Sequence, residues 1–60
     1  MNKIEEVRRV KGMTRNELSK RSGVSNKMLW EYERGKRDPS LATLRKIAKA
    51  LGVKIQEVVW

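Results

Sequence analysis

The 60-residue sequence contains neither cysteine nor histidine. The first absence removes disulfides, zinc fingers and thiol nucleophiles, and the second removes imidazole bases. Long apolar runs are missing too. No stretch approaches the roughly 20 residues of a membrane span, and the start Met1-Asn2-Lys3-Ile4-Glu5-Glu6 lacks the apolar centre of a signal peptide. A cytoplasmic location is the expectation. No internal period of roughly 20 to 50 residues and no low-complexity tract interrupts the chain, so it reads as one domain over residues 1–60. Acidic residues are scarce: seven stand against fifteen basic ones, a formal net charge of +8. So large an excess on so short a chain calls for an anionic partner, either nucleic acid or a membrane surface. The carboxylates Glu5, Glu6, Glu17, Glu31, Asp38 and Glu57 show no spacing that suggests a shared site. The expectation is therefore no enzyme, with no metal, cofactor or small-molecule substrate.

What is present is a series of capped amphipathic segments. Ile4, Val7 and Val10 lie between charges and precede Gly12, which predicts a first helix over Lys3 to Lys11 with all three on its inner side. Thr14 and Glu17 have the spacing of a reciprocal capping box, so a second helix starts at Arg15, turns Leu18 inward and stops at Gly23. Pro39 breaks a basic loop, after which Ser40 caps a helix carrying Leu41, Leu44, Ile47, Ala48 and Leu51 and ending at Gly52. Ile55, Val58 and Val59 suit a last short helix beginning near Lys54. The fold class is all-α, a compact five-helix bundle.

The third helix, Ser25–Arg34, is the distinctive one. Ser25 is a good N-cap, and Gly35 suits the left-handed turn that ends a helix. At about 100° per residue, Met28, Leu29 and Tyr32 share one side while Asn26, Lys27, Trp30, Glu31 and Arg34 share the other. The second side is either an ordinary solvated face with a tryptophan covering its neighbours or a contact face for base edges. Asn, Lys and Glu match adenine, guanine and cytosine respectively.

Ile4-x-x-Val7-Arg8, Gly12-Met13-Thr14, Glu17-Leu18-Ser19, Gly23-Val24-Ser25, Glu33-Arg34-Gly35-Lys36-Arg37-x-Pro39-Ser40 and Leu44-x-x-Ile47-Ala48-x-x-Leu51-Gly52-Val53 together resemble the phage repressor and Cro family. This is the xenobiotic-response-element family of helix-turn-helix proteins, and the resemblance runs from Ile4 to Val59. It implies a sequence-specific regulator of transcription, a repressor in the first instance, with Ser25–Arg34 in the major groove and Arg15–Ser22 crossing the backbone. Asn26, Lys27, Trp30 and Glu31 are then the base-contacting set, Trp30 through thymine methyls or sugar edges. Arg15, Arg34, Lys36, Arg37 and Thr43 are the phosphate-contacting set, helped by the N-termini of helices two and four. Arg8 and Glu33 are implied as an ion pair tying helix one to helix three, with a pair of separate surface charges as the alternative. Two positions depart from the family pattern. Arg15 replaces a frequent glutamine, and Ser22 replaces a larger aliphatic residue, which predicts a loosely held second helix.

One short helix makes few contacts, and the family commonly doubles them by two-fold symmetry, so a homodimer on a pseudo-palindromic double-stranded operator is expected. Ile55, Val58, Val59 and Trp60 are the candidate interface. Two other readings stay open: an antitoxin-like module that binds a partner protein with DNA binding secondary, and a cationic peptide of membrane surfaces. The division of the apolar residues among several capped segments weighs against the last.

Overall fold

Helix α1 (Ile4–Val10) carries Glu5 and Glu6 in its first turn and Arg8 and Arg9 in its last, which places each charge against the opposite end of the helix dipole. Its start is held from outside. Asn2 Oδ1 accepts from the Ile4 N–H, while Asn2 Nδ2 donates to the carbonyl of Tyr32, both at 3.0 Å. The computed structural model describes residues 2–59. Four more helices follow: α2 (Arg15–Ser22), α3 (Asn26–Glu33), α4 (Leu41–Leu51) and α5 (Gln56–Val59). The described residues contain no strand, so the all-α, five-helix expectation holds.

Local chemistry sets the helix boundaries. Glu17 N–H donates to Thr14 Oγ1 at 3.1 Å and Thr14 N–H donates to Glu17 Oε1 at 2.9 Å, completing the capping box of α2. Ser25 Oγ accepts from the Met28 N–H at 3.1 Å, and Ser40 Oγ accepts from the Thr43 N–H at 3.2 Å. Each such bond satisfies one of the donors that a helix start leaves free, a contribution of about 1 kcal/mol. Gly23 closes α2 at φ +77°, a left-handed conformation that a side chain would resist. The last element is capped in the same manner, Lys54 N–H donating to Glu57 Oε2 at 3.0 Å.

All five helices contribute to one core of Ile4, Leu18, Leu29, Tyr32, Ile47, Ala48, Leu51 and Val58. Met13 packs against it at the corner after α1, as do Val7, Val24, Leu44 and Ile55. Helix α2 packs on α3 and α4, whereas α5 packs on α1 and α4.

Three expected placements are corrected. Val10 is 81% exposed rather than inward. It lies about 120° around the helix from Ile4, whereas Arg8 lies only about 40° away and lays its stem along the core in its place. Leu41 is 59% exposed. It is the first residue of α4, and side chains there lean back past the helix end into solvent. Val58, expected in an interface, is fully buried in the core. The Lys3 N–H donates to the Val58 carbonyl at 2.8 Å and draws α5 onto α1, which turns this side chain inward. Trp60 lies outside the described residues.

Candidate nucleic-acid interface

The link from α2 to α3 is only Gly23-Val24-Ser25. Ser22, expected to loosen α2, instead tightens this turn: its Oγ accepts from the Val24 N–H at 3.1 Å. The hydroxyl thus supplies a hydrogen bond where an aliphatic side chain would supply burial. Helix α3 is thereby pinned at both ends, by the Ser25 cap and by Arg34 and Gly35 closing onto Trp30 and Tyr32 carbonyls.

Leu29 and Tyr32 are buried and Met28 half-buried, which leaves Lys27 and Trp30 exposed on the opposite side, flanked by half-buried Asn26 and Glu31. At the start of this face, Asn26 Nδ2 donates to Asn16 Oδ1 at 3.2 Å. The bond sets the first turns of α2 and α3 side by side and leaves the remaining amide groups of both residues for outside partners. Asn16 thus joins the expected set of contact residues as an addition from the structure. A polar amide on the exposed first turn of the preceding helix was the available signal.

At the other end of α3, the residues expected to read bases are engaged with those expected to bind phosphate. Arg37 Nε donates to Glu31 Oε1 at 3.1 Å. The Trp30 ring lies within 5.9 Å of the Arg34 guanidinium carbon and 5.8 Å of Lys36 Nζ, both within the range of cation–π attraction. Arg34, Lys36, Arg37 and Lys27 are all exposed, so this side of the molecule carries a concentration of positive charge.

Behind α3 lies a second electrostatic group. Arg8 Nε donates to Glu33 Oε2 at 2.9 Å and Arg8 Nη2 to Glu33 Oε1 at 3.2 Å. The hydrogen bonds that Arg8 donates to Glu33 raise its pKa above the ordinary value, against the opposing effect of burial. Arg8 Nη1 donates to the Met13 carbonyl at 2.9 Å, so the same side chain also fixes the corner before α2. Arg15, expected among the phosphate contacts, also donates from Nε to Glu33 Oε1 at 3.3 Å. Glu33 therefore joins α1, the start of α2 and the end of α3. Thr43 is likewise committed locally, its Oγ1 accepting from Ser40 Oγ at 3.0 Å within the cap of α4.

Such an arrangement presents amide, ammonium and carboxylate groups on one short helix, ringed by guanidinium groups, and these match base edges and phosphates respectively. No helix among the described residues is long and apolar enough to cross a membrane, and no group of three or more acidic side chains among them could hold a metal ion.

Comparison with known proteins agrees with this geometry. Residues 4–58 match the helix-turn-helix family. The uncharacterized HTH-type transcriptional regulator y4dJ of Sinorhizobium fredii is 47% identical over 53 residues, which cover 88% of this chain and 69% of the relative. The immunity repressor protein of Bacillus phage phi105 is 32% identical over 95% of this chain and 40% of its own length. Among solved structures, the restriction-modification controller protein C.AhdI of Aeromonas hydrophila superposes with a TM-score of 0.88 at 33% identity, over 92% of this chain and 83% of that one.

Proposed function

The chain belongs to the helix-turn-helix family of DNA-binding transcriptional regulators, and from that premise we propose that it is a repressor that reads a double-stranded operator through α3. The carrying observation is the outward side of α3, where Asn26 sets its amide beside the first turn of α2 and Lys27 and Glu31 add hydrogen-bonding groups along the same side. An eight-residue helix is about 12 Å long, which fits the width of the major groove. Asn26 and Lys27 supply the donors and acceptor for adenine and guanine edges, and after them Trp30 and Glu31 stand against the cations of the turn that ends the helix. Arg15, Arg34, Lys36 and Arg37 meet phosphates, and Thr43 lies at the α4 N-terminus, whose first backbone N–H groups are free to bind an anion.

The similarity to a phage immunity repressor supports repression as the direction of control. The protein acts as a homodimer in the cytoplasm, with two half-buried residues at the dyad: Val59 of α5 and Ile55, which immediately precedes that helix. Helix α5 packs on α1 and α4 rather than on the reading helix, so pairing through it leaves both copies of α3 free for DNA. Selection of binding sites from random duplex DNA tests the proposal as a whole. Recovery of a pseudo-palindromic consensus is the expected result, and enrichment of no sequence over background would overturn it.

A further inference from the structure

We infer that Trp30 is a positioning residue that holds Arg34 and Lys36 for the DNA backbone rather than a contact to bases. The inference rests on the proposal that α3 faces DNA, and it concerns how that face is organised.

Trp30 is an outlier on its face. Its neighbours Asn26, Lys27 and Glu31 are polar, and a 37% exposed indole among them loses apolar burial that an inward position would have given. What it gains is two cations. The Arg34 guanidinium carbon stands 5.9 Å and Lys36 Nζ 5.8 Å from the ring centroid. Two like charges drawn to one ring repel each other and leave solvent contacts, so their coincidence reflects attraction to the electron-rich ring face, which is strongest for indole. Both side chains are rotamer-rich, and Lys36 follows Gly35 at the end of the helix, where little else fixes its direction. The next side chains repeat the arrangement with different chemistry: Glu31, adjacent to Trp30, holds Arg37, adjacent to Lys36, at 3.1 Å. The C-terminal half of α3 and the turn after it therefore form a unit in which an aromatic ring and a carboxylate pre-order three cations. The N-terminal half, with Asn26 and Lys27, is left to read sequence.

Pre-ordering removes a cost from binding, because each long side chain immobilised at an interface loses conformational freedom. Trp30→Leu keeps an apolar side chain able to touch a thymine methyl but lacks the ring face. It is expected to weaken binding to the selected operator and to a random duplex alike, by roughly 5- to 150-fold for two disordered cations. The log–log salt slope should flatten by about one unit. Trp30→Phe, which keeps a π face, should recover most of the affinity, with circular dichroism confirming the fold of both variants. In an Arg34→Gln, Lys36→Gln background, Trp30→Leu should add almost nothing. Two results overturn the inference: a loss confined to one base pair of the operator with an unaltered salt slope, or a loss of the same size in the doubly substituted background as in the wild type. A wild-type protein with no preference for any duplex would instead sink the reading of α3 itself.

Discussion

Arg8 and Glu33 meet across the α1–α3 contact through two hydrogen bonds of 2.9 and 3.2 Å, with the two side chains 9% and 1% exposed. The pair lies directly behind the reading helix, so what holds it also sets the angle of α3. Glu33→Ala leaves the Arg8 charge buried without its partner, which typically costs about 3–5 kcal/mol. A domain of this size has a total of roughly 0.05–0.15 kcal/mol per residue to lose. The variant is expected to be largely unfolded in urea titrations at 25 °C. Replacing both partners, as Arg8→Met with Glu33→Leu, should be far milder because no buried charge is left unpaired: Arg15 also loses Glu33, but its side chain is 26% exposed and water can solvate it. A loss below about 1 kcal/mol for Glu33→Ala would show that the bridge does not hold α3.

A second expectation concerns pH. Glu17 has its pKa lowered from the ordinary 4.5, first by the hydrogen bond from the Thr14 N–H and then by the Thr14 side chain. The folded protein therefore binds this proton more weakly than the unfolded chain does. The stabilisation is complete above about 4.5 and is lost as pH falls through the lower folded value. Glu17→Gln keeps an acceptor oxygen but cannot titrate, so its urea midpoint should vary less with pH across that acid range than the wild type's. Parallel acid profiles for the two proteins would place the linkage elsewhere.

These two sites differ in how far they could be read in advance. The Thr14 box, the Ser25 and Ser40 caps and the stop at Gly23 were legible because each is a bond between residues two to four positions apart. Such chemistry is written in the order of the letters. The contact of Arg15 with Glu33 is hidden for the opposite reason: the two lie 18 residues apart, and a long cation takes whichever carboxylate the fold brings near. The same applies to Asn16 beside Asn26 and Arg37 beside Glu31. The inward turn of Val58 is not legible in the sequence, because a segment of one to two turns is too short for periodicity to separate inner from outer sides.

Base preference is predicted to reside in the first turn of α3. Asn26→Ala and Lys27→Ala should each cost about 1–3 kcal/mol on the selected operator and far less on random duplex. Neither residue belongs to the core, so melting temperatures should hold. Equal losses on both duplexes would remove these residues from base reading.

Phosphate contacts should appear as salt dependence. Lys36→Ala and Arg37→Ala are each expected to flatten the plot of log K against log salt by about one unit, and for Lys36→Ala affinity should fall alike on all sequences. For Arg37→Ala a second effect is expected, because Glu31 loses its 3.1 Å partner and becomes free to accept from a base. Preference at one operator position should sharpen in that variant alone. Unchanged slopes in both variants would place these side chains away from DNA.

The last prediction is the assembly. An eight-residue reading helix offers few base contacts, and the two-fold doubling usual for this motif requires half-sites about 34 Å, or about 10 base pairs, apart. The molecule measures 23 × 22 × 18 Å, so two half-sites about 34 Å apart are wider than one copy and call for two. The apolar surface available there is Ile55 and Val59, both half-buried, while Val58 faces the core. Val59→Asp should therefore separate the dimer and leave the fold intact, whereas Val58→Asp should unfold the chain by burying a charge. Sedimentation of the wild type and Val59→Asp, with and without duplexes carrying one or two half-sites, checks this directly. The expected result is a wild-type dimer that binds two half-sites far more tightly than one, and a Val59→Asp monomer that does not distinguish them. A wild type that sediments as a monomer and binds one half-site as well as two would sink the dimer.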